Sequence, residues 1–138
     1  MITAAEISDK VYALLVAASI KGVDVVRQRH FDVPEEVVVQ ESDTERPTSI
    51  YDAVVFIRIH VQDIFNGKEY EPNAPRLREI RSAVLSAVGK YTWMGTGVNW
   101  AANSLGGIVK EQDHNESVMI VMLNAHIRSF DPYKQVNV

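Results

Sequence analysis

Apolar residues return at helical spacing near the start of the chain: Ile7, Val11, Leu14, Leu15 and Ala18 fall in one stripe. Thr3 and Glu6 precede that stripe at capping-box spacing, where hydroxyl and carboxylate each satisfy a free backbone N–H. Lys21 and Gly22 supply an end, a cation at the negative pole and then a residue that tolerates left-handed backbone. The spacing predicts a helix over residues 4–21. A second stripe, Leu77, Ile80, Val84, Leu85 and Val88, predicts another helix, with Asn73 as N-cap, Pro75 in the first turn and Gly89 at the end.

Between the helices the period changes to two. Val55, Ile57, Ile59 and Val61 alternate with Phe56, Arg58, His60 and Gln62, so Tyr51–Ile64 reads as a strand with one apolar and one mixed face. Val23–Val26 and the β-branched run Val37–Val39 read as shorter strands, and Asn66-Gly67 as a turn. Residues Gln40–Asp52 hold almost no apolar side chain and are expected to form a long mobile loop. Tyr91–Gly107, rich in Gly, Asn and Trp, is expected to be a loop with a short helix near Trp100–Asn103. Gly107–Gln112 and Ser117–Phe130 form a hairpin around the turn Asp113–Glu116, stopped by Asp131-Pro132. In its second strand Met119, Val121, Leu123, Ala125 and Ile127 share one face. Val118, Ile120 and Met122 make the other face apolar as well. The fold class is therefore α+β, a single domain over 1–138: a mostly antiparallel sheet of about four to five strands with two main helices packed on one face.

Composition narrows the setting. There is no cysteine, so disulfides and thiolate metal sites are excluded, which agrees with assembly in a reducing cytoplasm. The start of the chain lacks the basic segment of a signal peptide, and no apolar run approaches the roughly 20 residues that cross a bilayer. A formal net charge of −4 disfavours tight binding of nucleic acid, which depends on cations meeting phosphate.

The residues that could carry chemistry are scattered. His30, His60, His114 and His126 lack the i+3 or i+4 partner of a helical metal site, although His60 and His126 could meet across paired strands. Gly95-Thr96-Gly97 follows a helix, has no third glycine at the required spacing and no lysine behind it, so it is not a phosphate loop. Ser104, Ser117 and Ser129 have no nucleophile-elbow flanks. Arg76, Arg78 and Arg81, interrupted by Glu79, read as a solvated helix face. No catalytic residue, metal ligand or cofactor is assigned, and the chain is not expected to be an enzyme.

The candidate site is instead an interface. Trp93, Met94 and Trp100 are aromatic and methionine anchors in a glycine-rich segment. Val118, Ile120 and Met122 give the last strand a second apolar face that needs a cover. Glu41, Asp43, Glu45 and Arg46 lie in the charged loop that could order on docking.

The element order, carried by the helix Ile7–Ala18, the strand Val54–Val61, the helix Leu77–Val88 and the closing strand Val118–Arg128, resembles the tail-terminator family of long-tailed bacteriophages. It is also similar to the small ring proteins of the phage neck. The resemblance implies a structural virion protein assembled in the host cytoplasm: a hexameric ring at the head-proximal end of the tail. Such a ring stops tube polymerisation and contacts the tail tube protein and the head-tail connector. DNA passes through its lumen without specific binding, and no membrane is involved. Two other readings remain open: a small ligand-binding or regulatory domain with Trp93 and Trp100 lining a pocket, and an enzyme using His60 or His126.

Overall fold

The computed structural model describes residues 2–42, 50–111 and 113–128. In chain order the elements are α1 (Ala4–Ala18), β1 (Asp24–Val26), β2 (Glu35–Glu41), β3 (Ile50–Gln62), β4 (Ile64–Phe65), β5 (Tyr70–Glu71), α2 (Ala74–Val88), β6 (Lys90–Trp93), β7 (Val98–Glu111) and β8 (Glu116–Arg128). Six strands form one sheet in the order β1-β2-β3-β8-β7-β6, and β4 pairs only with β5. All neighbours in the large sheet run antiparallel except β1 and β2, which are parallel. The sheet is thus mixed and six-stranded, larger than the four to five strands expected.

The additional strand, β6, comes from a segment expected to be a loop, and a second such segment lengthens β2 and β3. Tyr91–Gly107 holds most of β6 and of β7, with residues 94–97 as the connection between them. Glycine and asparagine mask the strand there, yet Val98, Trp100 and Ala102 alternate inward with exposed Asn99, Ala101 and Asn103. The expected short helix at Trp100–Asn103 is strand throughout. Likewise Gln40 and Glu41 belong to β2, and Ile50 to Asp52 belong to β3, so the charged connection is shorter than Gln40–Asp52.

Both helix starts match the sequence reading. Thr3 Oγ1 accepts from the Glu6 N–H at 3.2 Å, and Asn73 Oδ1 accepts from the Arg76 N–H at 3.3 Å. Helix α1 ends three residues early, at Ala18. Ser19 takes the left-handed conformation and its N–H returns to the Val16 carbonyl. Gly22, at φ +80°, turns the chain into β1 instead of capping the helix.

Both helices pack on one sheet face. Ile7, Val11 and Leu15 of α1 meet Leu77, Ile80, Val84 and Val88 of α2 above Val37, Val39, Val55, Ile57, Ile59, Val121, Leu123 and Ile127. Each such fully buried side chain stabilises the fold by roughly 1.5–3 kcal/mol. Arg27 ties the edge of this layer together: it donates to Asp9 and Ser8 of α1 and to Glu41 of β2.

Candidate functional site

Pairing register fixes what lies on the other face, called here the open face. Across β2, β3, β8 and β7, successive rows read Glu36–His60–Val118–Val109, Val38–Arg58–Ile120–Leu105 and Gln40–Phe56–Met122–Asn103. Val38 and Val118 are buried by their neighbours in the sheet, and Phe56, Ile120 and Met122 are half-buried. Leu105 and Val109 remain 43% and 59% exposed. The apolar strip read from Val118, Ile120 and Met122 is therefore real and continues onto β7.

One end of the open face is covered by the β1–β2 connection, which brings a charged group with it. Arg29 lies between two carboxylates, donating to Glu36 Oε1 at 2.7 Å and, through Nη2, to Glu116. It also donates to the backbone carbonyls of His30 and Val33 and lies over the Phe31 ring, 5.2 Å from its centroid. The side chains of Arg29, Glu36 and Glu116 are only 10%, 1% and 3% exposed. His30 gives Glu36 both its backbone N–H, at 2.7 Å, and its ring Nδ1, at 2.8 Å. His60 Nδ1 sits 3.2 Å from Glu116 Oε1. Phe31 stacks on His114 at the rim, centroids 3.8 Å apart. Three of the four histidines thus gather here, around groups that the sequence reading did not single out. A charge at a period-two strand position among valines, as at Glu36, is the one signal that could have pointed to them; Arg29 carries none.

The cluster is a fastening more than a site for chemistry. The cleft beside it, lined by Arg29, Phe31, Gln62, His114 and Glu116, measures about 130 Å³, below the ~300–1,000 Å³ of small-molecule pockets. Among the described residues, no group of three or more His, Asp or Glu is arranged to hold a metal ion. His60 and His126 do not meet. They face Val118 and Asp52 respectively, which sets them eight residues, roughly 26 Å, apart along β8. His126 pairs with Asp52, and both are well exposed.

The cluster gives stability a pH dependence. Burial pushes His60 below its ordinary value of 6.5, and the attraction of Glu116 does not offset it. Burial acts to raise Glu36, but the His30 N–H and the Arg29 guanidinium outweigh it and hold the carboxyl below its usual range. In both cases the unfolded chain binds protons more readily, so stability rises with pH across the window between folded and unfolded values. The His60 contribution is complete above 6.5 and declines as pH falls through that value towards the folded one. The Glu36 contribution is lost at lower pH, below the ordinary carboxylate value of 4.5. The thermal midpoint should therefore fall between about pH 7.5 and 5.5, and His60→Gln should flatten that fall. A parent midpoint that is level across this range would refute the assignment.

The other sequence candidates separate. Trp100 is 3% exposed and belongs to the core: its Nε1–H donates to the Val88 carbonyl at 2.9 Å and its ring stacks on Tyr91. It is thus no surface anchor, and a pocket walled by both tryptophans loses one wall. Trp93 is half-buried with the Lys10 ammonium 5.4 Å from its ring centroid, while Met94 is 83% exposed. Glu41 is tied to Arg27 in β2 and is not a loop residue. Asp43, Glu45 and Arg46 lie outside the described residues. Arg76 is held by Glu35, Glu79 and the Lys21 carbonyl, so it does not join Arg78 and Arg81 in a free basic patch.

No protein-family model matches the chain, and no match is found among curated protein sequences. No helix among the described residues is long and apolar enough to cross a membrane.

Proposed function

We propose that the chain is a structural ring subunit of a phage virion, closing as a hexamer at the head-proximal end of a tail. There it ends tube polymerisation and joins the tube protein to the head-tail connector, while DNA passes through the lumen without specific binding. The observation that carries this reading is the open face. Phe56, Leu105, Val109, Ile120 and Met122 form an apolar strip that the described chain leaves without a covering element. Apolar surface of that kind marks contact with another protein. The bonding of Arg29 to both Glu36 and Glu116 suits a subunit that must keep its shape while presenting that face. The role needs no cofactor and no catalytic group.

Light scattering on the purified full chain, with negative-stain microscopy, tests the proposal. The expected result is a closed ring, either free or on addition of tail tubes. The double substitution Ile120→Lys and Met122→Lys should abolish assembly on the tube while leaving the circular dichroism unchanged. A parent protein that stays monomeric at high concentration and ignores tail tubes overturns the proposal.

A further inference from the structure

Among the described residues, the large sheet ends in two edges that are left at least partly unpaired. At one end β1 has no strand outside it among the described residues. At the other, β6 covers only Val98–Ala101 of β7, and the Ala102 N–H goes to the Gly89 carbonyl at 2.7 Å. Beyond that point Asn103–Leu105 and Val109–Glu111 pair inward with β8 on either side of a bulge at residues 106–108, with no backbone hydrogen bond on the outer side of β7 among the described residues. Unpaired strand edges are templates for another strand.

The two edges match each other in three respects. The first is direction. From β2 to β7 the sheet reverses three times, and β1 is parallel to β2, so β7 runs opposite to β1. A copy rotated about an axis along the strands therefore brings its β1 antiparallel to the first copy's β7. The second is facing. Asp24, opposite Glu36, and Val109, opposite Val118, both belong to the open face, so placing Asp24 against Val109 keeps the helices of both copies on one side. The third is apolar fit. That register sets Ile108, which packs against the core, against Val25 on the helix side of the sheet.

We infer that copies of this chain join edge to edge, β1 of one copy adding antiparallel to Ile108–Glu111 of the next. The sheet then continues from subunit to subunit. Two different patches in head-to-tail contact are what a closed ring requires, and the inference rests on the ring reading above.

The absence of native cysteine makes the test direct. Asp24 and Val109 are exposed, so Asp24→Cys/Val109→Cys should fold as the parent does, which circular dichroism checks. Cross-strand neighbours sit within disulfide reach. Under mild oxidation the double variant should give a ladder of covalent oligomers ending at the ring, and either single variant should give none. Asp24→Cys/Glu111→Cys covers a register shifted by two residues on the same face. If light scattering finds a ring but neither pair gives a ladder, the edge contact is wrong and the ring reading stands. If both the variants and the parent are monomeric with and without tail tubes, both fail. Covalent dimers from Val109→Cys alone place β7 against β7 and overturn the inference.

Discussion

Arg29→Met should cost roughly 3–5 kcal/mol of stability, because it strips the counter-charge from two carboxylates that stay buried. Glu36 and Glu116 are almost wholly enclosed, and Arg29 is the cation that bonds both. Without it, Glu36 keeps the His30 N–H and ring, and Glu116 keeps a neutral His60, but the pair carries uncompensated charge on one sheet face. Urea unfolding at neutral pH measures the effect. Two further outcomes separate this cause from lost packing. The deficit should shrink as pH falls, since protonating the carboxyls removes the penalty. Adding Glu36→Gln and Glu116→Gln to Arg29→Met should recover part of the loss. A deficit below about 1 kcal/mol, the scale of an exposed ion pair, would show that water reaches the carboxylates.

Trp100→Ala should be comparably severe, at about 3–5 kcal/mol, for a different reason: it opens a cavity in the core. The indole fills the space between α2 and β7, with its N–H closing onto the last turn of α2. Trp100→Phe keeps an aromatic ring against Tyr91 and leaves the Val88 carbonyl without that donor, an expected cost of about 1–3 kcal/mol. Chemical denaturation of the three proteins orders them. An interface anchor would behave otherwise: both variants would unfold like the parent and differ only in assembly.

Trp100 also shows where the sequence misleads. A tryptophan among glycine and asparagine looks like a loop anchor, whereas the alternation Val98, Trp100, Ala102 is a strand pattern whose outward positions happen to be Asn99, Ala101 and Asn103. The long elements were legible because their apolar periods run over many residues: α1, α2, β3 and β8 lie close to where the stripes put them. Short edge strands are held by pairing partners far along the chain, and a local window does not register those. The same limit explains the charge cluster. Arg29 and Glu116 are 87 residues apart in sequence, and they meet only because the β1–β2 connection crosses the open face where the pairing of β2, β3 and β8 places Glu36 and Glu116. The apolar strip of Val118, Ile120 and Met122 needed no such knowledge, since both faces of β8 are visible in the alternation itself.

The two central strands of the sheet come from opposite halves of the chain: β3 is complete at Gln62, and its partner β8 begins only at Glu116. During synthesis β3 therefore waits for its neighbour. At roughly 5–20 residues per second, the ribosome takes several seconds to pass from one strand to the end of the other. Until then β2 and β3 can make only a narrow ribbon, with Val55, Ile57, Ile59 and Val61 facing water unless α1 and the nascent α2 shield them. Arg58 and His60, set between those residues, put polar side chains on an otherwise sticky stretch. They fit a role as gatekeepers against nascent chains pairing with one another on the same polysome.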